Sequence, residues 1–147
     1  MRICVDTTIL IDVLKDEFRP FQDKLYEAIA SNEQLVSPSV VFGELMPQFK
    51  GDEKQVADFL SDHKIAVESL DIASVSSASG SWLKYLRRKD KIICPNCGQS
   101  LPHRVHFLSD FYIGGFALAK CDAILTRDRG IYKKYFPTLV GHADCLA

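Results

Sequence analysis

Apolar residues along the chain occur in two kinds of spacing. Short apolar runs, typical of buried strands, occur in "RICVD", "QLVSPS", "KIAVESLD", "AILTRD" and "PTLVG". Between them, apolar positions recur every three or four residues, as on one face of a helix, in "TTILIDVLK", "FQDKLYEAIASN", "SVVFGELM", "KQVADFLSDH", a stretch from about residue 72 into "KYLRRKDK", "DFYIGGFALAKC" and "RGIYKKYF". Strands that alternate with helices predict an α/β fold with a mostly parallel sheet.

Two interruptions refine this pattern. Pro47 lies inside the apolar stripe of the helix that begins near "SVVFGELM", so it should kink or shorten that helix. Residues 90–108 lack helical spacing and concentrate Cys, His, Pro and Gly. They read as an insertion between two helices of a single domain that spans residues 1–147.

Composition narrows the class of protein. The 147 residues are 47% hydrophobic and 25% charged, which is typical of a globular domain, and the formal net charge of -1 gives no overall positive field for nucleic acids. Asp6 and Asp12 interrupt the apolar N-terminus, so we expect neither a signal peptide nor a membrane span. The five cysteines do not resemble a secreted disulfide framework, which favours a cytoplasmic protein.

Four carboxylates lie at the ends of predicted strands, at the start of a predicted helix or among apolar residues. Asp6 ends the first strand, and Asp128 lies just past the strand "AILTRD". Asp110 opens the helix "DFYIGGFALA", and Glu44 is an acidic residue among apolar neighbours. Ligands of parallel α/β sheets collect at the carboxyl ends of the strands. Carboxylates gathered in one cleft repel one another, and their hard oxygens suit Mg²⁺ or Mn²⁺.

These acids also have ordinary structural explanations. Asp6 and Asp110 each precede a predicted helix and could be N-caps, and Asp128 could belong to a turn. Capping does not account for Glu44 in mid-helix, where a carboxylate is costly unless it is paired or holds a metal. Three further acids are interpreted as solvated helix positions: Asp12, Asp16 and Asp23.

The sequence resembles the PIN-domain family, and in particular the VapC-type toxins of bacterial and archaeal toxin–antitoxin pairs, in the segments "VDTTILIDVL", "SPSVVFGELM", "SDFYIGGFALAKCDAILTRD" and "GIYKKYFPTL". The resemblance covers nearly the whole chain apart from residues 90–108. It implies a three-layer α/β/α fold with a central sheet of four to five strands. The family's metal-binding acids would be Asp6, Glu44, Asp110 and Asp128, with Thr126 as its polar position and Thr7 or Thr8 supporting the first acid.

The activity implied by the resemblance is that of a metal-dependent endoribonuclease, a hydrolase of phosphodiester bonds in single-stranded RNA. Mg²⁺ or Mn²⁺ held by the four acids would activate a bound water and neutralise charge on the phosphodiester. The resemblance also implies a homodimer. If the chain belongs to a toxin pair, it implies a cognate antitoxin that holds the nuclease inactive.

A basic run could help an acidic site to bind polyanionic RNA. Phosphate contacts are predicted for Lys84, Arg87, Arg88 and Lys89, with base stacking from the neighbouring Trp82 and Tyr85. The same run is equally consistent with a solvated helix end, where basic residues are favourable against the helix dipole.

The insertion carries metal-ligand spacing. Cys94 and Cys97 followed by a glycine have the form of a zinc knuckle, and His103 and His106 would complete a structural Cys₂His₂ site. A second route to four ligands uses His142 and Cys145, but the local pair closes a shorter loop. A redox-active CxxC or an incidental loop are the alternatives. A second functional hypothesis is a non-catalytic RNA- or protein-binding module that uses this loop and the basic helix.

Overall fold

The computed structural model describes residues 1–88, 91–102 and 107–139. Its elements follow in chain order as β1 Arg2–Val5, α1 Thr7–Lys15, α2 Arg19–Ala30, β2 Gln34–Pro38, α3 Ser39–Leu45, a 3₁₀ helix Met46–Phe49, α4 Glu53–Asp62, β3 Ile65–Glu68, α5 Ile72–Arg88, β4 Lys91–Ile93, β5 Ser100–Pro102, α6 Leu108–Lys120, β6 Ala123–Leu125 and α7 Arg129–Tyr135.

Strands β1, β2, β3 and β6 form one parallel sheet in the order β3-β2-β1-β6. The register pairs Cys4 with Val36 of β2 on one side and with Ile124 of β6 on the other. Crossovers between parallel strands are right-handed as a rule, so this strand order places helices α1 to α4 over one face of the sheet and α5 and α6 over the opposite face. The predicted three-layer α/β/α fold with a central, mostly parallel sheet of four to five strands is confirmed, and the described residues give that sheet four strands.

The helix boundaries follow local chemistry. The Asp6 carboxylate accepts a hydrogen bond from the Thr7 amide at the start of α1. Pro47 shortens α3 as the sequence predicts, because the chain tightens into the 3₁₀ helix directly after Leu45. The Asp52 carboxylate accepts from the Gln55 amide and caps α4.

Two glycines let α6 pack closely against its neighbours. A Cβ on Gly115 would lie 2.7 Å from the backbone nitrogen of Ala78 and closer still to the carbonyl oxygen of Ser74, both in α5. A Cβ on Gly114 would lie 2.5 Å from the ring of Phe136. The absence of side chains at these two positions therefore sets the distance between α6, α5 and the segment after α7.

Two predictions of local structure are wrong. The segment "PTLVG" does not begin a fifth strand, because residues 137–139 are helical. The helix α6 begins at Leu108, so Asp110 is its third residue and not its cap. Within the predicted insertion, β4 and β5 pair as an antiparallel hairpin with Ile92 opposite Leu101, which the sequence did not indicate.

The interpretation of Asp12 as a solvated position is a third prediction that is wrong. Asp12 is 0% exposed, whereas the sequence suggested a solvated position. The signal was present in the helical spacing, because Asp12 lies three residues after the buried Ile9 and so falls on the inward face of α1.

In residues 1–88, 91–102 and 107–139, four cysteines are free: Cys4, Cys94, Cys97 and Cys121. Over the same ranges, every helix is too short or too polar to cross a lipid bilayer.

Candidate active site

Asp6 lies at the carboxyl end of β1 and is held by three donors. Its Oδ1 accepts a 2.8 Å hydrogen bond from the Thr7 amide. Its Oδ2 accepts from the hydroxyls of Thr8 at 3.0 Å and Thr126 at 2.6 Å. Burial raises the pKa of Asp6 to about 6, and the charge of Asp110 adds to the rise while the hydroxyls oppose it.

Glu44 reaches the same region from α3. The buried Val41 and Leu45 anchor this helix in the core, and Glu44 itself is half-buried. The Thr7 hydroxyl donates to Oε1 of Glu44 at 3.3 Å. Burial raises the pKa of Glu44 to about 7, and the negative charges of Asp6 and Asp110 raise it further. Glu44 and Asp6 therefore belong to one electrostatic cluster.

Asp110 enters this cluster from the first turn of α6. Its Oδ2 accepts a 3.0 Å hydrogen bond from the Phe107 amide, which also stabilises the start of the helix. Its charge raises the pKa of both Asp6 and Glu44, so Asp110 lies close enough to interact with both carboxylates. Asp110 therefore stabilises the start of α6 from the third position of the helix and also belongs to the acidic cluster.

Asp128 lies between β6 and α7. Its amide donates to the Thr126 hydroxyl at 3.0 Å, so Thr126 connects Asp128 to Asp6. Tyr132 of α7 marks the same region, since burial and the charges of Asp6, Asp110 and Asp128 raise the pKa of its phenol well above the usual value. Asp128 therefore borders the region that the other acids occupy.

The donor chemistry of this cluster fits a hard divalent cation. Asp6 and Glu44 are carboxylates partly or wholly removed from water, and no Lys or Arg side chain forms an ion pair with either of them in the described part of the chain. A divalent cation would favour their charged forms. Across the ranges 1–88, 91–102 and 107–139, however, no three Cys, His, Asp or Glu side chains are close enough to share one metal ion.

A sequence profile of the PIN domain matches residues 3–137. The chain belongs to the PIN-domain family. The match covers every acid of the cluster, and it also includes the residues of the β4–β5 hairpin. A search of curated protein sequences gave no match.

Solved structures share the PIN-domain fold at low sequence identity. VapBC2 of Rickettsia felis, bound to a promoter DNA fragment, aligns with a TM-score of 0.66 and 15% identity over 95% of this chain and 96% of that chain. VapBC-1 of nontypeable Haemophilus influenzae aligns with a TM-score of 0.60 and 21% identity over 96% of this chain and 94% of that chain. VapC20 of Mycobacterium tuberculosis, a toxin that cleaves the sarcin–ricin loop, aligns with a TM-score of 0.55 and 16% identity over 90% of this chain and 94% of that chain.

The basic run of this PIN domain occupies the last turns of α5. Lys84 and Arg87 are exposed, Arg88 is the last residue of the helix, and Lys89 lies outside the described residues. The stacking role suggested for Tyr85 is wrong, because Tyr85 is buried among Phe111 and Tyr135. Trp82 is half-buried and packs edge-on against Phe111, with 5.0 Å between ring centroids.

The cysteine pair of the insertion lies in the turn between β4 and β5. The Cys94 amide donates to the Gln99 carbonyl at 2.8 Å, and the Gly98 amide donates to the Cys94 carbonyl at 2.9 Å. Gly98 has a φ of 70°, a left-handed conformation that favours glycine. The two histidines predicted to complete the site, His103 and His106, lie outside the described residues, as do His142 and Cys145.

Sequence reasoning missed three residues around the cluster. Tyr132 carried no signal beyond its apolar helical spacing. Asp12 and Arg127 form an ion pair, with the Arg127 Nε 3.0 Å from Oδ2 of Asp12. Their pairing joins residues 115 positions apart, which helical spacing within α1 does not reveal.

Proposed function

We propose that this PIN domain is a metal-dependent endoribonuclease that hydrolyses phosphodiester bonds in single-stranded RNA. The observation that carries the proposal is the acidic cluster at the carboxyl end of the sheet, where the charge of Asp110 raises the pKa of Asp6 and the charges of Asp6 and Asp110 both raise the pKa of Glu44. Buried like charges of this kind are costly to a fold and are typical of functional sites. Membership of a nuclease family and the fold shared with an RNA-cleaving toxin support the same activity.

The proposed ligands for Mg²⁺ or Mn²⁺ are Asp6, Glu44, Asp110 and Asp128. The cation, when bound, would lower the pKa of a water molecule and neutralise charge that develops on the phosphodiester. Thr126 and Thr8 fix the orientation of the Asp6 carboxylate, and Thr7 does the same for Glu44. Lys84 and Arg87 on α5 would contact RNA phosphates, together with Arg88 and Lys89.

An assay on single-stranded RNA with Mn²⁺ tests this function. Asp6→Asn and Glu44→Gln should each lower cleavage at least about a hundredfold, because each removes a proposed ligand. Asp23→Asn, an exposed aspartate of α2, is the matched control and should cleave like the wild type. Equal activity in all four proteins would indicate a contaminating nuclease. No activity in any of them, across metals and RNA sequences, would favour the non-catalytic binding module.

We further propose that the protein is a homodimer and that a cognate antitoxin binds it. Two of the solved structures with the same fold are VapBC complexes. Coexpression with the product of the neighbouring gene, followed by affinity purification through this chain, tests the pairing. A complex that suppresses the ribonuclease activity is expected, and the elution volume of the chain alone measures whether it is a dimer.

We also propose a structural Zn²⁺ in the β4–β5 hairpin. The support is the position of Cys94 and Cys97 in a tight turn where the amides of Asn96 and Cys97 donate to the Cys94 sulfur and lower the pKa of its thiol. Backbone donors to sulfur are what a zinc-bound thiolate requires. His103 and His106 are the proposed remaining ligands, with His142 and Cys145 as the alternative pair.

Elemental analysis tests the zinc proposal. The wild-type protein should contain about one zinc per chain. Cys94→Ser and Cys97→Ser should lose it, while Cys121→Ser, a free cysteine outside the hairpin, should retain it. Loss of zinc in His103→Ala but not in His142→Ala would assign the histidines. Full zinc content in both Cys94→Ser and Cys97→Ser would exclude the site.

A further inference from the structure

Arg127 and Asp12 form a buried ion pair beside the candidate active site. The Arg127 Nε donates to both carboxylate oxygens of Asp12, at 3.2 and 3.0 Å. Asp12 is 0% exposed and the Arg127 side chain is 35% exposed. The guanidinium lies over the ring of Phe18, 4.1 Å from its centroid. Arg127 therefore contacts both α1, through Asp12, and the turn that leads into α2, through Phe18.

Arg127 lies in the segment after β6, between the two candidate site residues Thr126 and Asp128. Thr126 donates to Asp6, and the amide of Asp128 donates to Thr126. The Arg127 amide donates to the Thr8 hydroxyl at 3.2 Å, and that hydroxyl donates in turn to Asp6. Residues 126–128 thus bond to the first turn of α1 through hydroxyl groups.

The ion pair ties this segment to α1 at a second point. Asp12 lies six residues after Asp6, roughly one and a half helical turns along α1. Two attachment points along one helix fix both the position of a short segment and its rotation about the strand axis. Without the ion pair, the Thr126–Asp6 and Arg127–Thr8 contacts would hold the segment only at the first turn of α1. The segment could then rotate about that point, and the direction of the Asp128 carboxylate depends on this rotation.

We propose that Arg127 is a positioning residue whose ion pair with buried Asp12 holds the Thr126–Asp128 segment in the orientation that lets Asp128 share a metal ion with Asp6. The proposal rests on the proposed metal-dependent function. The alternative is a purely structural role, in which Arg127 only neutralises the buried charge of Asp12. The two differ in what happens when both charges are removed together, since this abolishes the cost of an unpaired Asp12 but does not restore the attachment.

The experiment compares Arg127→Met with the double variant Asp12→Asn/Arg127→Met. Arg127→Met should be strongly destabilised in urea, because it leaves the Asp12 carboxylate buried and unpaired. The double variant should recover most of that stability. If Arg127 positions the segment, Mn²⁺ should nevertheless bind the double variant about tenfold more weakly than the wild type in isothermal titration calorimetry, which corresponds to about 1.4 kcal/mol.

The matched control is Asp16→Asn/Arg19→Met, which removes an arginine–aspartate pair of the same chemistry. That pair is 3.3 Å apart and largely exposed, and neither of its side chains forms a hydrogen bond or ion pair with residues 126–128. The control should bind Mn²⁺ like the wild type. Wild-type Mn²⁺ affinity in Asp12→Asn/Arg127→Met would overturn the positioning role while leaving the proposed function intact.

Amide hydrogen exchange provides a readout that does not depend on metal or activity. In the double variant the amides of Arg127 and Asp128 should exchange at least about tenfold faster, because the segment that carries them is no longer held against α1 by the ion pair. The Asp6 amide, which donates to the Leu125 carbonyl inside the sheet, should be unchanged. Unchanged exchange at Arg127 and Asp128 would overturn the proposal. Absence of Mn²⁺ binding by the wild type would instead contradict the proposed function.

Discussion

The hydroxyl of Thr126 donates a 2.6 Å hydrogen bond to the carboxylate of Asp6, which lies 120 residues earlier in the chain. The contact is possible because β1 and β6 are neighbouring parallel strands, so the residues that follow them leave the sheet side by side. The hydrogen bond connects the segment after β6 to the start of α1 at the candidate active site. It also stabilises the charged form of a carboxylate whose burial favours the neutral form.

Thr126→Val should raise the pKa of Asp6 above about 6, because it removes the shortest hydrogen bond to the carboxylate without changing the side-chain shape. We expect a rise of about half a unit to one unit. Carboxyl-carbon NMR of the metal-free protein measures it directly. Ser79→Ala removes an exposed hydroxyl that bonds only to its own helix and is the control. An Asp6 pKa that is unchanged or lower in Thr126→Val would contradict the assignment of this bond.

Glu44→Gln should stabilise the metal-free protein at pH 8 and have much less effect at pH 4. The folded-state pKa of Glu44 is raised from 4.5 to about 7. Its contribution to stability is therefore fully present below about pH 4.5 and is lost as the pH rises through 7, where the charged form is disfavoured by burial and by Asp6 and Asp110. Glutamine does not titrate and avoids this loss.

The expected gain for Glu44→Gln at pH 8 is about 1 kcal/mol, reduced from the full shift because Glu44 is only half-buried. Urea unfolding in the presence of a chelator at the two pH values measures it. Glu27→Gln, an exposed glutamate of α2, controls for the loss of one charge. A difference between wild type and Glu44→Gln that is the same at pH 4 and pH 8 would rule out this origin.

Gly115→Ala should destabilise the fold by about 2 to 4 kcal/mol, because its methyl group would overlap backbone atoms of Ser74 and Ala78 in α5. Gly80→Ala is the matched control, since a Cβ at that helical position meets no atom within 4 Å. It should be neutral or stabilise by up to about 1 kcal/mol through helix propensity. Chemical denaturation compares the two, and similar effects would contradict the close α5–α6 packing.

The double variant Lys84→Gln/Arg87→Gln should weaken RNA binding and reduce its dependence on salt. Removing two phosphate contacts should lower the slope of log affinity against log salt by about 1.4 for a single strand. Fluorescence anisotropy with catalytically inactive Asp6→Asn as background measures both quantities. Lys15→Gln/Lys54→Gln makes the same charge change on α1 and α4, on the other face of the sheet, and should leave the slope unchanged. Equal slopes for the two double variants would indicate that α5 does not contact RNA.

The local elements were predictable because their causes are local. Helical and strand spacing gave β1, α1, α2, α4, α5 and α7 within a few residues, and Pro47 marked the end of α3. The errors in secondary structure arose where contacts with distant parts of the chain determine the local conformation, or where an element is very short. Residues 137–139 have an apolar run that suits a strand, but the sheet ends at β6 on that side and the chain continues as helix after Phe136. The hairpin β4–β5 has strands of three residues, too short for a periodic signal.

Residue type and near-neighbour spacing were enough to predict the α/β class, to select four acids as a candidate site and to place two cysteines in one tight turn. The tertiary structure was needed to show which groups lie close together. It placed Thr126 against Asp6, brought the charges of Asp6, Glu44 and Asp110 into one cluster, buried Tyr85, and turned Asp12 inward to meet Arg127. The physical reason is that parallel strands bring residues distant in sequence to one edge of the sheet, and the charge, burial and hydrogen bonding of each depend on neighbours that its own segment does not contain.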